Sequence, residues 1–238
     1  LSLLLVLSLS ASPYPVAIFH GMGDACSNSG MSSFTQYIAA SLSTYAECIE
    51  IGDGGISSIT MQFSLQAEAA CTALKANARF KGNISVLGLS QGALIARYII
   101  ESCEFGGEVK RYVSLGGPQM GVGVLPRCTG LLAYLCMPFN FIARQLVYTG
   151  FVQGNVGPAG YFRDPYDYQH YLTGATFLPD LNNERNASLG ERKGQFGGLE
   201  AVLLVMFEED SMIIPKETAH FGFFDTDGET VVRMEDSR

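Results

Sequence analysis

The chain has 238 residues, 47% of them hydrophobic and 16% charged, enough for one large domain that buries about 70% of its unfolded surface. Its formal net charge is −8, with no basic cluster to offset it, which argues against a general nucleic-acid binder or a protein drawn to anionic membranes by charge. The first ten residues are Leu-rich and uncharged and lead into Ala11-Ser12-Pro13, the pattern of the apolar core and cleavage region of a secretory signal. The run is too short for a membrane span, so residues 1–12 are expected to be the remnant of a signal peptide whose start is missing.

In chain order, Val16-Ala17-Ile18-Phe19 predicts a short buried strand, followed by the loop His20-Gly21-Met22-Gly23-Asp24. The glycines allow the backbone to approach a substrate closely, and the Met22 N–H is a candidate donor to an oxyanion. His20 is expected to serve the loop structurally. Met31, Phe34, Ile38 and Leu42 recur at helical spacing, residues 46–51 predict a strand, and residues 61–78 predict a helix with Leu65, Ala69 and Leu74 on its apolar face.

A buried strand over 84–87 then runs into Gly88-Leu89-Ser90-Gln91-Gly92, and a helix is predicted over 92–103 with Leu94, Ile95, Tyr98 and Ile99 on its apolar side. A Gly-X-Ser-X-Gly turn between strand and helix is the nucleophile elbow of an α/β-hydrolase. The turn is too tight for bulky neighbours, so glycines flank the serine. Ser90 is the candidate nucleophile, and the Gln91 N–H, at the new helix's N-terminus, is the other oxyanion donor.

Residues 109–115 predict another strand, ending at Gly116-Gly117-Pro118. Strands alternating with helices argue for a mostly parallel central sheet with helices on both faces. From about 119 to 198 the pattern breaks into short apolar pieces among glycines, prolines and aromatics, which predicts an inserted cap within a hydrolase domain spanning 13–238. Regularity returns with an apolar run over 199–207, followed by Glu208-Glu209-Asp210. A carboxylate just past a late strand is where this fold places the acid of a Ser-Asp-His triad. Asp210 is the candidate, and Glu208 and Glu209 satisfy the spacing as well. His220 is the only histidine beyond it, and its aromatic neighbours favour packing over catalysis.

The six cysteines, Cys26, Cys48, Cys71, Cys103, Cys128 and Cys136, fit three disulfides formed in an oxidising compartment, with 15 possible pairings. Without a Cys-X-X-Cys pair, and with three histidines in all, a zinc site is not expected. Asn186-Ala187-Ser188 is a credible glycosylation sequon in a polar stretch. Asn83-Ile84-Ser85 also matches but enters the elbow strand, where a chance match is the better account.

Taken together, His20-Gly21-Met22-Gly23-Asp24, Gly88-Leu89-Ser90-Gln91-Gly92, the segments 114–122 and 125–128, Asp180-Leu181-Asn182-Asn183-Glu184-Arg185 and the segment 209–215 resemble the palmitoyl-protein thioesterases, close to the lysosomal type-1 enzymes. The resemblance runs from about Pro15 to the C-terminus. It implies hydrolysis of long-chain fatty acyl thioesters on S-acylated cysteines of proteins or peptides, through an acyl-enzyme. It also implies no metal or cofactor, no nucleic acid, no stable membrane insertion, and a place in the lysosome or vacuole, or outside the cell. It assigns Ser90 as nucleophile, Asp210 as triad acid and the Met22 and Gln91 amides as the oxyanion hole. It further suggests the disulfides Cys71–Cys103 and Cys128–Cys136, leaving Cys26–Cys48. The family's catalytic histidine follows the triad acid in a Gly-Asp-His segment that is not present up to Arg238, so the sequence is expected to be a fragment truncated at both ends. An oxygen-ester lipase or carboxylesterase, or an inactive lipid-binding homologue if the chain ends at Arg238, are the alternatives.

Overall fold

In the computed structural model, residues 13–124, 144–185 and 195–236 are described. The apolar tetrad Val16–Phe19 forms β1, buried along its whole length. It lies between β2 (Ala46–Cys48) and β3 (Ile84–Leu89), and β4 (Val109–Leu115) and β5 (Ala201–Val205) follow in the order β2-β1-β3-β4-β5. Every pairing in this sheet is parallel. This is the doubly covered α/β arrangement that the alternating pattern predicts.

Side chains alternate across a strand, and β1 shows the consequence. Val16 and Ile18 join a small core with Met31 and Leu87 beneath α1 (Ser29–Leu42). Ala17 and Phe19 face the larger core on the opposite side. There α3 (Phe63–Ala76) and the elbow helix α4 (Gln91–Ser102) pack.

The structure departs from the predicted elements at several places. β2 stops at Cys48 rather than 51, because the chain turns through Gly52 and Gly54, both at positive φ. That turn feeds an unpredicted short helix, α2 (Gly55–Thr60). The buried face of α3 carries Phe63, Gln66, Ala67, Ala70, Cys71 and Leu74, while Leu65 is exposed. Leu42 at the end of α1 is exposed as well. β5 is shorter than the apolar run of 199–207, and Val202 and Leu203 stand 42% and 55% exposed. Among the described residues β5 pairs with no strand other than β4, which leaves it at the edge of the sheet.

Residues 144–185 contain short helices and no strand of the main sheet: α5 (Gly150–Asn155), a 3-10 turn (Gly157–Tyr161), α6 (Tyr168–Gly174) and α7 (Leu178–Leu181). Tyr161 and Phe177 meet the Phe63 ring edge-on at 5.1 and 4.6 Å, tying this segment to α3. A small antiparallel pair, β6 (Phe223–Phe224) with β7 (Val231–Val232), follows the sheet.

Candidate active site

Ser90 sits between β3 and α4 at φ 50°, ψ −122°, a backbone conformation that L-residues rarely adopt and that persists only where its surroundings enforce it. Its N–H donates to Leu115 O of β4 at 2.8 Å, and its carbonyl accepts from Ala93 N at 2.9 Å. Both flanking glycines are sterically required. A Cβ on Gly88 would lie 2.3 Å from Ala93 Cα, and one on Gly92 would lie 2.2 Å from Phe19 O. The elbow helix is thus pressed directly onto the end of β1.

That contact brings the loop after β1 to the nucleophile. A Cβ on Gly21 would be 3.4 Å from Ser90 Cβ and 4.0 Å from its Oγ. Among the described residues no acceptor meets the Met22 N–H. Gln91 is the first residue of α4, where backbone N–H groups have no intrahelical acceptor. Both predicted donors therefore stand beside Ser90 with their N–H groups uncommitted to helix or sheet. His20 is 4% exposed, with Nδ1 2.9 Å from Gly21 O and Nε2 2.9 Å from Glu50 Oε1. It serves the loop, as the sequence predicts.

Asp210 lies in the turn after β5. Its Oδ1 accepts from Met212 N and Ile213 N, both at 2.9 Å. Its Oδ2 points towards Gly116, 3.9 Å from where a Cβ would sit. Gly116 follows the strand residue whose carbonyl holds Ser90, so Ser90 and Asp210 occupy the same C-terminal end of the sheet, where α/β folds bind ligands. Glu208 and Glu209 are exposed, leaving Asp210 as the carboxylate turned inward. His220 is exposed with Nε2 3.2 Å from Leu204 O, and His170 packs edge-on against Tyr148. None of the three histidines hydrogen-bonds to Ser90 or Asp210.

A buried polar cluster behind Ser90 has no counterpart in the sequence-based prediction, which used Gln91 for its backbone alone. The Gln91 side chain is 1% exposed, and its Nε2 donates to Ser58 O at 3.1 Å and Gln66 Oε1 at 3.0 Å. Its Oε1 accepts from the Tyr161 hydroxyl at 2.9 Å. Burial holds the Tyr161 phenol well above its ordinary range. The signal was Gln66, a polar residue at an apolar-face position of α3.

The disulfides Cys26–Cys48 and Cys71–Cys103 are formed. Cys128, Cys136 and Asn186 lie outside the described residues. The His20, Glu50 and Cys26 ligand atoms come within 4.8 Å of one another, but the sulfur is bonded to Cys48 and is no thiolate ligand.

A parallel sheet with a strained serine elbow after a central strand, a glycine loop after its neighbour and an acid after a later strand defines an α/β-hydrolase. Within that class, residues 15–238 match the family described as "Palmitoyl protein thioesterase", and the chain belongs to it. Palmitoyl-protein thioesterase 1 of Caenorhabditis elegans is 30% identical over 94% of this chain and 76% of that protein. Palmitoyl-protein thioesterase 3 of Dictyostelium discoideum is 28% identical over 97% of this chain and 78% of that protein. Lysosomal thioesterase PPT2 of Homo sapiens is 27% identical over 95% and 73%. Against solved structures, the chain reaches a TM-score of 0.45 with a Paleococcus ferrophilus monoacylglycerol lipase, at 10% identity over 88% of this chain and 80% of that one.

Proposed function

We propose that the protein hydrolyses long-chain fatty acyl thioesters of S-acylated cysteines, with Ser90 as nucleophile. The observation that carries this is the strained Ser90 elbow pressed against the Gly21–Met22 backbone in a member of a thioesterase family. Ser90 Oγ attacks the thioester carbonyl carbon as its proton passes to a general base, and the carbonyl π electrons move onto oxygen. The Met22 and Gln91 N–H groups receive that oxyanion. The intermediate collapses, the C–S bond breaks, and the base returns its proton to the sulfur, which leaves as the cysteine thiol. Water then attacks acyl-Ser90 and releases the fatty acid.

Asp210 Oδ2 is the oxygen we assign to hold the general-base imidazole, since Oδ1 is already engaged by two backbone amides. Residues 119–198 are assigned as the cap over the acyl chain; the aromatic packing of Tyr161 and Phe177 on Phe63 supports this. We place the protein in the secretory pathway or lysosome, with the Asn186-Ala187-Ser188 sequon as its glycosylation site. Two disulfides and a relative named as a lysosomal thioesterase support the location, and among the described residues no helix is long and apolar enough to cross a membrane.

The test is hydrolysis of a palmitoyl-cysteine peptide and its serine oxygen-ester analogue by wild type and Ser90→Ala. Thioester turnover that vanishes in Ser90→Ala supports the assignment. Undiminished turnover in the variant refutes it, and a preference for the oxygen ester makes the protein a carboxylesterase.

A further inference from the structure

The loop that carries Met22 has little structure of its own: Asp24 N to Gly21 O, at 3.3 Å, is its internal backbone hydrogen bond. It is held from outside by one stretch, residues 48–58. Glu50 Oε2 accepts from Cys26 N at 2.7 Å, Ser58 Oγ accepts from Gly23 N at 2.7 Å, and Cys48 is bonded to Cys26. On the near side of Met22, Glu50 Oε1 meets His20 Nε2 at 2.9 Å, and His20 Nδ1 meets Gly21 O at 2.9 Å.

The last contact bears on catalysis. A carbonyl oxygen only accepts, so Nδ1 is the donor there. The Glu50 carboxylate, which accepts backbone N–H groups from Cys26 and Ile51, lies 2.9 Å from the other ring nitrogen, Nε2. Gly21 O belongs to the same planar trans peptide as the Met22 N–H, and in such a peptide the two bonds point in opposite directions. Fixing the carbonyl therefore aims the amide.

We infer that Glu50 is a positioning residue of the oxyanion hole. Acting through His20, it orients the Gly21–Met22 peptide so that the Met22 N–H faces the carbonyl oxygen of the bound thioester. The inference rests on the assignment of Ser90 and Met22 to acyl transfer. Since removal of a whole oxyanion donor costs about 10²–10³ in kcat, an amide released from its bracket should cost about 10²-fold, with KM changed less than about twofold.

The experiment is a cycle of Glu50→Ala, His20→Leu and the double variant, measuring kcat and KM on a palmitoyl-cysteine peptide, palmitate binding and thermal unfolding. A relay predicts that each single variant loses about 10²-fold in kcat, that the double variant loses no more than either, and that palmitate binds unchanged. Glu50→Gln replaces the alanine variant in the same cycle if the latter does not fold. Glu50 variants that unfold at lower temperature yet keep kcat within about threefold overturn the inference. So do multiplicative losses in the double variant, or a rise in KM that parallels weaker palmitate binding. Wild-type protein without Ser90-dependent turnover overturns the thioesterase assignment and this inference with it, whereas Ser90-dependent turnover indifferent to Glu50 overturns this inference alone.

Discussion

Arg97 sits two turns into the elbow helix, 6% exposed, in a helix otherwise almost wholly apolar on its buried sides. Its Nε donates to Glu101 Oε1 at 2.7 Å, Nη1 to Gln119 O at 3.1 Å and Asn182 Oδ1 at 2.7 Å, and Nη2 to Leu181 O at 2.9 Å. The guanidinium also lies 5.2 Å from the centre of the Phe221 ring. One side chain thus joins α4 to the segment after β4, to α7 and to the segment before β6. Arg97→Met keeps the aliphatic stem and removes every donor. Breaking a buried ion pair from one side costs about 3–5 kcal/mol, and the carbonyls left without donors push towards the upper end. We expect a loss of about 4 kcal/mol, a large part of the stability of a typical domain. That corresponds to a fall in Tm of about 10 °C. Urea unfolding measures it directly, and Glu101→Gln alone and combined with Arg97→Met completes a double-mutant cycle. The second substitution should cost at least 1 kcal/mol less in the Arg97→Met background than in wild type (a rough threshold for contacting charges). A change in Arg97→Met below about 1 kcal/mol, or strict additivity, would refute the reasoning.

The Cys71–Cys103 bridge links α3 to the end of α4 across a separation of 32 residues. Replacing both cysteines by alanine should cost about 3.7 kcal/mol on the loop-entropy estimate, read as a lower urea midpoint; a loss below about 1 kcal/mol would contradict it. Alkaline stability is set by buried phenols: desolvation pushes Tyr112 up to about 12 and raises Tyr148, Tyr161 and Tyr171 as well. Unfolded tyrosines ionise near about pH 10, so the stability these four contribute is complete below that pH and is lost as the pH rises through their folded values. Tyrosinate absorbance should appear together with unfolding. Ionisation of all eleven tyrosines near about pH 10 in a protein that stays folded would contradict it.

What was legible in the sequence is what is local. Val16–Phe19 is a continuous apolar run between Pro15 and the His20-Gly21 turn, and the strand over 109–115, which carries Val109, Tyr112, Val113 and Leu115, lies between Gly107 and Gly116; both form with the predicted bounds. The elbow was legible because its strain is enforced by glycines two residues either side of Ser90. β2 was over-extended because Ile49 and Ile51 are apolar and buried, yet they enter the core from a turn, and composition does not separate the two cases. The face of α3 was misplaced because Leu65 outweighs alanine in any hydropathy pattern. Packing against α4 and the 3-10 turn instead favours small residues, and Gly157 and Gly160 have no room for a Cβ beside Gln66 and Phe63.

The candidate site divides along the same line. Ser90, Gln91, Met22 and Asp210 are each announced by a few neighbouring residues, because the fold fixes where such groups stand relative to strand ends. The residues that hold them are distant in sequence: Glu50 reaches back 30 residues to His20, Ser58 35 residues to Gly23, and Tyr161 70 residues to Gln91. None belongs to a pattern of fixed spacing, since a hydrogen bond between loops constrains position in space and leaves separation along the chain free. Sequence motifs therefore mark the groups that we assign to the substrate. Burial of polar atoms identifies those that aim them, because a glutamine or serine shielded from water is retained only where it has partners. Gln66, Gln91 and Ser58, each 3% exposed or less, meet that criterion. They connect the α2–α3 segment to Gly23 on one side of Ser90 and to Gln91 on the other, so on the proposed assignment of the oxyanion hole a substitution in α2 alters chemistry at Ser90 without touching the substrate.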